Sequence, residues 1–181
     1  MENKIDVAII VGSASDLPVI NESVKILKEF EISYSVNIAS AHRTCEHLKQ
    51  CVKVAESAGA KVFIAGAGMS AALAGVIAAE TDLPVIGVPM ENKNLASMDA
   101  LFSTVQMPKG VPVAAVSIGK AGAVNAAVLA ARIMALSDDN LKDKLTVYKS
   151  SQAQSVIKED IRLQQEGIEK YLEGLKSGKN I

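Results

Sequence analysis

A chain of 181 residues has room for one domain with a full core and too few residues to expect two. Hydrophobic residues make up 49% but aromatics only 3%, so the interior must be built from Ala, Val, Ile, Leu and Met, with few faces for stacking bases or flavins. With 19 basic and 20 acidic residues the net charge is -1, which speaks against a nucleic-acid polymer or an anionic membrane as partner.

The polar start, Met1 to Asp6, has the pattern of neither a signal nor a transit peptide and leads into a first apolar run. Val7 to Val11 reads as a buried strand, and Leu17 to Phe30 repeats with helical periodicity. Tyr34 to Ile38 reads as a second strand and Glu46 to Ala58 as a second helix. Lys61 to Gly66 is the third strand, followed by a small-residue helix from about Ser70 to Glu80. Pro84 to Val88 is the fourth strand, Leu95 to Thr104 a helix, and Val111 to Val116 the fifth strand. The Ala-rich run Ala121 to Leu136 reads as a long helix; Asn125 and Arg132 interrupt it, and it is too short to span a bilayer. Cys45 and Cys51 match no metal spacing and no CxxC pattern, as expected of a reduced, cytoplasmic protein.

Continuous apolar strands separated by helices predict an α/β fold. The architecture is a three-layer, doubly wound parallel sheet, flavodoxin-like, with a C-terminal helical extension. Residues 1–137 form the nucleotide-binding catalytic part. Residues 138–181 form a charged helical arm of one or two helices, part of the same domain or packed on a neighbouring subunit, with a frayed end at Ser177 to Ile181.

In open parallel sheets, ligands bind outside the carboxyl ends of the strands. The unusual residues fall there: GSASD (Gly12 to Asp16), SAHRT (Ser40 to Thr44), GAGMSAALAG (Gly66 to Gly75), PMENKN (Pro89 to Asn94) and SIGKAGAVNA (Ser117 to Ala126) follow the five strands in turn. Gly12, Ser13, Ser15 and Asp16 offer a tight turn, two hydroxyls and a carboxylate at a helix start. That combination suits phosphate and ribose, or alternatively a plain cap by Ser15 or Asp16. Arg43 offers a bidentate clamp for phosphate, or alternatively a surface ion pair. His42 reads as an acid–base group or as a polar loop residue, and His47, inside a helix, as structural or solvent-facing. Lys120 sits where a response regulator has its lysine, but the third loop has no aspartate to complete that pocket.

Together, GSASD, SAHRT, AGAG, PVIGVP, STVQMPKGVPVA and IGKAGAVNAA, in this order from Val7 to Leu136, resemble the PurE family of purine biosynthesis. The resemblance implies a homo-octamer with sites formed between subunits and no metal or organic cofactor. It implies an aminoimidazole ribonucleotide that either receives its carboxyl group from CO2 or has it moved from N5 to C4. By position, Ser13, Ser15, Asp16 and Arg43 hold ribose and phosphate, Ser40 and Ala41 line the pocket, and His42 shuttles the C4 proton. Gly12, Ala67, Gly68, Met69, Ser70, Ala72 and Leu73 complete the expected binding wall.

One stretch departs from the pattern. Where the mutase branch reads AAHLPG this chain reads SAALAG, with Ala72 in place of the family's second histidine and Ala74 in place of its proline. The CO2-using branch reads GRSNALSG there, which GMSAALAG follows in spacing but not in its Arg or Asn. The other motifs favour the mutase, which therefore ranks first. Direct carboxylation, action on another heterocyclic nucleotide, and non-catalytic nucleotide binding remain open.

Overall fold

The computed structural model describes residues 4–176. The expectations for Met1 to Asn3 and for Ser177 to Ile181 lie outside the described residues. The strands are Val7–Val11 (β1), Tyr34–Ile38 (β2), Val62–Ala67 (β3), Val85–Pro89 (β4) and Ala114–Ala115 (β5). The helices are Leu17–Glu29 (α1), Cys45–Ser57 (α2), Leu73–Glu80 (α3), Met98–Val105 (α4), Gly119–Met134 (α5), Asp139–Glu166 (α6) and Ile168–Lys176 (α7). All strand pairs are parallel, in the order β2-β1-β3-β4-β5. This is the flavodoxin-like winding, whose switch point lies between β1 and β3.

The central strands are buried on both faces, which is why β1 reads VAIIV without alternation. On one face Ala8, Ile10, Phe63 and Ala65 meet Leu48 and Val52 of α2 and Leu73 and Ile77 of α3. On the other, α5 packs against α1 and β4. Its Ala123, Ala126, Ala127, Ala130 and Ala131 are fully buried, and small side chains let the two helices approach closely. The buried Ser23 hydroxyl donates to the Ala123 carbonyl at 2.6 Å, joining α1 to α5 at that contact.

Three elements differ from the periodicity reading. The fifth strand is only two residues long, because Pro112 lacks an N–H and an edge strand is paired on one side only. The fourth helix starts at Met98; Leu95, Ala96 and Ser97 before it have φ of 49°, 47° and 65°. There the buried Ser97 hydroxyl accepts from the Asn92 N–H at 2.9 Å and donates to the Asn92 carbonyl at 3.2 Å, holding a turn in place of a helical one. The third helix starts at Leu73, after a tight turn in which Met69 has φ 57° and Ala71 and Ala72 donate to the carbonyls two residues back.

At the amino end of β1, Asp6 forms an ion pair with Lys61 at 3.0 Å and accepts from the Ser33 hydroxyl at 2.5 Å. Burial alone would raise its pKa, but Ser33 and Lys61 outweigh it and hold the carboxyl below its ordinary value. A depressed carboxyl stabilises the fold above its unfolded pKa and loses that contribution as pH falls through the folded value. Asp6→Asn is therefore expected to cost about 1–2 kcal/mol at neutral pH, and the gap to the parent should close as pH falls below 3.8. Urea titrations of both proteins between pH 7 and pH 3 measure this.

The chain separates into two compact units, one ending at Leu141 and one beginning at Lys142. The start of α6 is capped by Asp138, whose carboxylate accepts from the Leu141 N–H at 3.1 Å.

Candidate active site

The carboxyl ends of β1, β2, β3 and β4 open into one cleft of about 650 Å³. After β1, the Ser13 hydroxyl accepts from the Ser15 N–H at 3.3 Å and from the Ser15 hydroxyl at 2.8 Å. Ser13 is thus the cap here, whereas Asp16 makes no side-chain cap bond. Asp16 is half-buried, and burial pushes its pKa up, partly offset by hydrogen bonds from Ser13 and Ser15.

After β2 the chain closes one turn between Ser40 and Thr44. The Ser40 N–H donates to the Thr44 hydroxyl at 2.8 Å, and the Thr44 N–H donates to the Ser40 carbonyl at 2.9 Å. Thr44 is then the N-cap of α2. Ala41, His42 and Arg43 form the tip of this turn, with His42 and Arg43 exposed. Arg43 reaches back across the cleft: its Nε lies 3.4 Å from the Ser40 hydroxyl and its Nη2 3.5 Å from the Gly12 carbonyl. These long bonds hold the guanidinium between the first two loops while leaving most of its donors available.

After β3, Ala67 to Leu73 form the facing wall, ending at the start of α3 where no side chain caps the helix. Ala72 occupies that N-cap position, so this wall has no titratable side chain. Beneath it Met90 lies against Gly66; a Cβ there would stand 2.4 Å from the Met90 methyl, so only glycine leaves Met90 this space.

His42, Gly12, Ser13, Ser15, Asp16, Ser40, Ala41, Arg43, Ala67, Gly68, Met69, Ser70, Ala72 and Leu73 all line this cleft. Ala71, Met90, Glu91 and Asn92 line it too and were not singled out from the sequence, although the place of the last three after the fourth strand pointed there. The fifth loop, expected on the same edge, does not line the cleft, because β5 lies at the far side of the sheet from the switch point. His47 is exposed on α2 with its Nε2 3.6 Å from Cys51 Sγ, outside the cleft lining.

Four serine hydroxyls, a guanidinium and two carboxylates around one imidazole suit a phosphorylated ribose whose attached ring undergoes proton transfer. The AIR carboxylase family model matches residues 6–155. The chain belongs to this family, to which PurE belongs. An N5-carboxyaminoimidazole ribonucleotide mutase from Pyrococcus abyssi is 48% identical over 168 residues, covering 93% of this chain and 95% of that protein. One from Bacillus subtilis is 47% identical over 157 residues, covering 87% and 97%. The crystal structure of Treponema denticola PurE superposes with a TM-score of 0.80 at 35% identity, covering 87% of this chain and 97% of that chain. The family resemblance and the flavodoxin-like architecture expected from the sequence thus both hold.

Proposed function

We propose that this protein converts N5-carboxyaminoimidazole ribonucleotide into 4-carboxy-5-aminoimidazole ribonucleotide, an isomerisation in purine biosynthesis. The observation that carries the reading is the gathering of His42, Arg43, Asp16, Ser13, Ser15 and Ser40 in one cleft of a chain nearly half identical to named mutases. Its volume lies within the range of sites that take ligands of nucleotide size.

In this reading Ser13, Ser15, Asp16 and Arg43 hold the ribose and phosphate, and Ser40 lines the ring site. The N5–carboxyl bond breaks, releasing CO2 into the cleft, and N5 takes up a proton. C4 then attacks the trapped CO2, and the new C4–carbon bond leaves that ring carbon with both a proton and a carboxylate. His42 removes the C4 proton and aromaticity returns; protons and charge balance over the cycle. Imidazole suits the task because it titrates near neutrality as a residue type. The small wall from Ala67 to Leu73 keeps CO2 beside the ring, where proximity lowers the barrier.

The assembly in this reading is a homo-octamer in the cytoplasm. Exposed Met98, Phe102 and Val105, at helical spacing on α4, and the exposed Leu95 before it support self-association, since a lone subunit leaves them in water. Sedimentation of an active monomer at micromolar concentration would overturn it. Among the described residues no helix is long and apolar enough to cross a membrane.

The donor is tested by offering aminoimidazole ribonucleotide with bicarbonate and, separately, the N5-carboxylated substrate under matched conditions. The expected result is direct use of the second. Ala72 provides no hydrogen bond to the substrate carboxylate, a contact worth about 1.5–3 kcal/mol where present, so Ala72→His is expected to tighten binding of that substrate. If the first substrate is used efficiently and the second only after it decomposes to CO2, the enzyme is a direct carboxylase.

A further inference from the structure

We propose that His47 and Cys51 form a two-ligand site for a borderline or soft divalent cation of the zinc or cadmium type. Both side chains stand on α2, four residues apart, so they share one face of the helix. The His47 Nε2 lies 3.6 Å from the Cys51 Sγ. A tetrahedral centre with bonds of about 2.3 Å to sulfur and about 2.0 Å to nitrogen holds those two atoms about 3.5 Å apart. The pair therefore already stands at the bite distance of such a cation.

Access and chemistry fit the same occupant. His47 is exposed while Cys51 is only 8% exposed, so the cation enters from the imidazole side and stops at the edge of the core. A thiol packed among core residues is inert as a nucleophile, which sets aside a Cys–His catalytic dyad. Coordination replaces the thiol proton: the Sγ–H bond breaks and the proton leaves to solvent. The resulting thiolate and the neutral Nε2 lone pair then bind the metal. Sulfur and imidazole nitrogen select against magnesium and calcium, which take oxygen ligands.

The site lies outside the cleft lining and does not depend on the reaction assigned to the cleft. Among the described residues no group of three or more His, Cys, Asp or Glu could hold a metal ion. Solvent therefore completes the coordination, and the cation stays exchangeable, unlike one in a closed four-ligand site. His47 and Cys51 stand in the first two turns of α2, whose N-cap Thr44 closes the turn that carries His42. A bound cation ties those two turns together and so staples the helix from which that turn projects.

The test adds cadmium, and separately zinc, to the full chain freed of metal, and follows ultraviolet absorbance and urea denaturation. A sulfur-to-cadmium charge-transfer band that saturates at one cadmium per chain is expected. Either cation should raise the denaturation midpoint, because the pair is preformed only in the folded state. His47→Gln and Cys51→Ser should each weaken binding at least about tenfold, whereas Cys45→Ser should leave it unchanged. His47 is exposed, so His47→Gln leaves the core intact and decides the matter even where Cys51→Ser disturbs folding. Absence of the band, its loss in Cys45→Ser, or unchanged binding in His47→Gln would each overturn the proposal. So would a midpoint raised as much by magnesium as by zinc, since that cation would sit on oxygen ligands elsewhere.

Discussion

His42→Asn is expected to lower turnover by about 10²–10⁴-fold while nucleotide binding stays within about an order of magnitude. The imidazole sits at the tip of a turn closed by Ser40 and Thr44, not by its own side chain, so the loop survives the substitution. Asn keeps a polar group of similar reach but cannot take and return a proton at neutral pH. Steady-state turnover, together with the dissociation constant of the product nucleotide, separates the two effects. His47→Gln is the matched control and is expected to be nearly silent, because His47 stands on α2 beside Cys51. Near-normal turnover in His42→Asn would remove this residue from the mechanism.

Gly122→Ala is expected to cost about 3 kcal/mol of stability or more. A Cβ on residue 122 would lie 1.6 Å from the Ser117 carbonyl oxygen and 2.7 Å from its carbon. Both are backbone atoms, so no rotamer change relieves the clash and the start of α5 must shift. That shift would reach the Ser23 bond to the neighbouring Ala123 carbonyl and the contact between α1 and α5. Gly110 is the comparison, with φ 95° and no atom within 4 Å of a built Cβ. Gly110→Ala should cost only its left-handed backbone, about 1–2 kcal/mol. Urea denaturation of the two variants decides: equal losses would mean that the Ser117 contact is not the constraint it looks to be.

The strand-and-helix alternation was legible in the sequence because periodicity is a local property. VAIIV reads as a doubly buried strand wherever it is placed, and the Ala spacing of α5 reads as a helix that packs closely. The motif-bearing loops could be assigned to one sheet edge for the same reason, since every parallel strand ends on the same side. His42, Arg43, Asp16 and the serines were therefore identifiable as a group before any coordinates. The family followed from the order of the motifs, and the match over residues 6–155 bears it out. Local signals misled where a single side chain or a missing N–H decided the backbone: Ser97 bound Asn92 and turned three residues left-handed, and Pro112 shortened β5.

Which loops meet depends on the strand order. The order β2-β1-β3-β4-β5 arises from pairings between residues far apart in the chain, such as Val7 with Tyr34 on one side and Val62 on the other. No local pattern encodes that choice. It brings the loops after β1, β2, β3 and β4 around the switch point, adds Met90, Glu91 and Asn92 to the wall, and leaves the fifth loop outside. Local sequence is enough to set the chemical groups available and the edge on which they stand. The strand order, a collective outcome of non-local packing, determined which of them share a cleft.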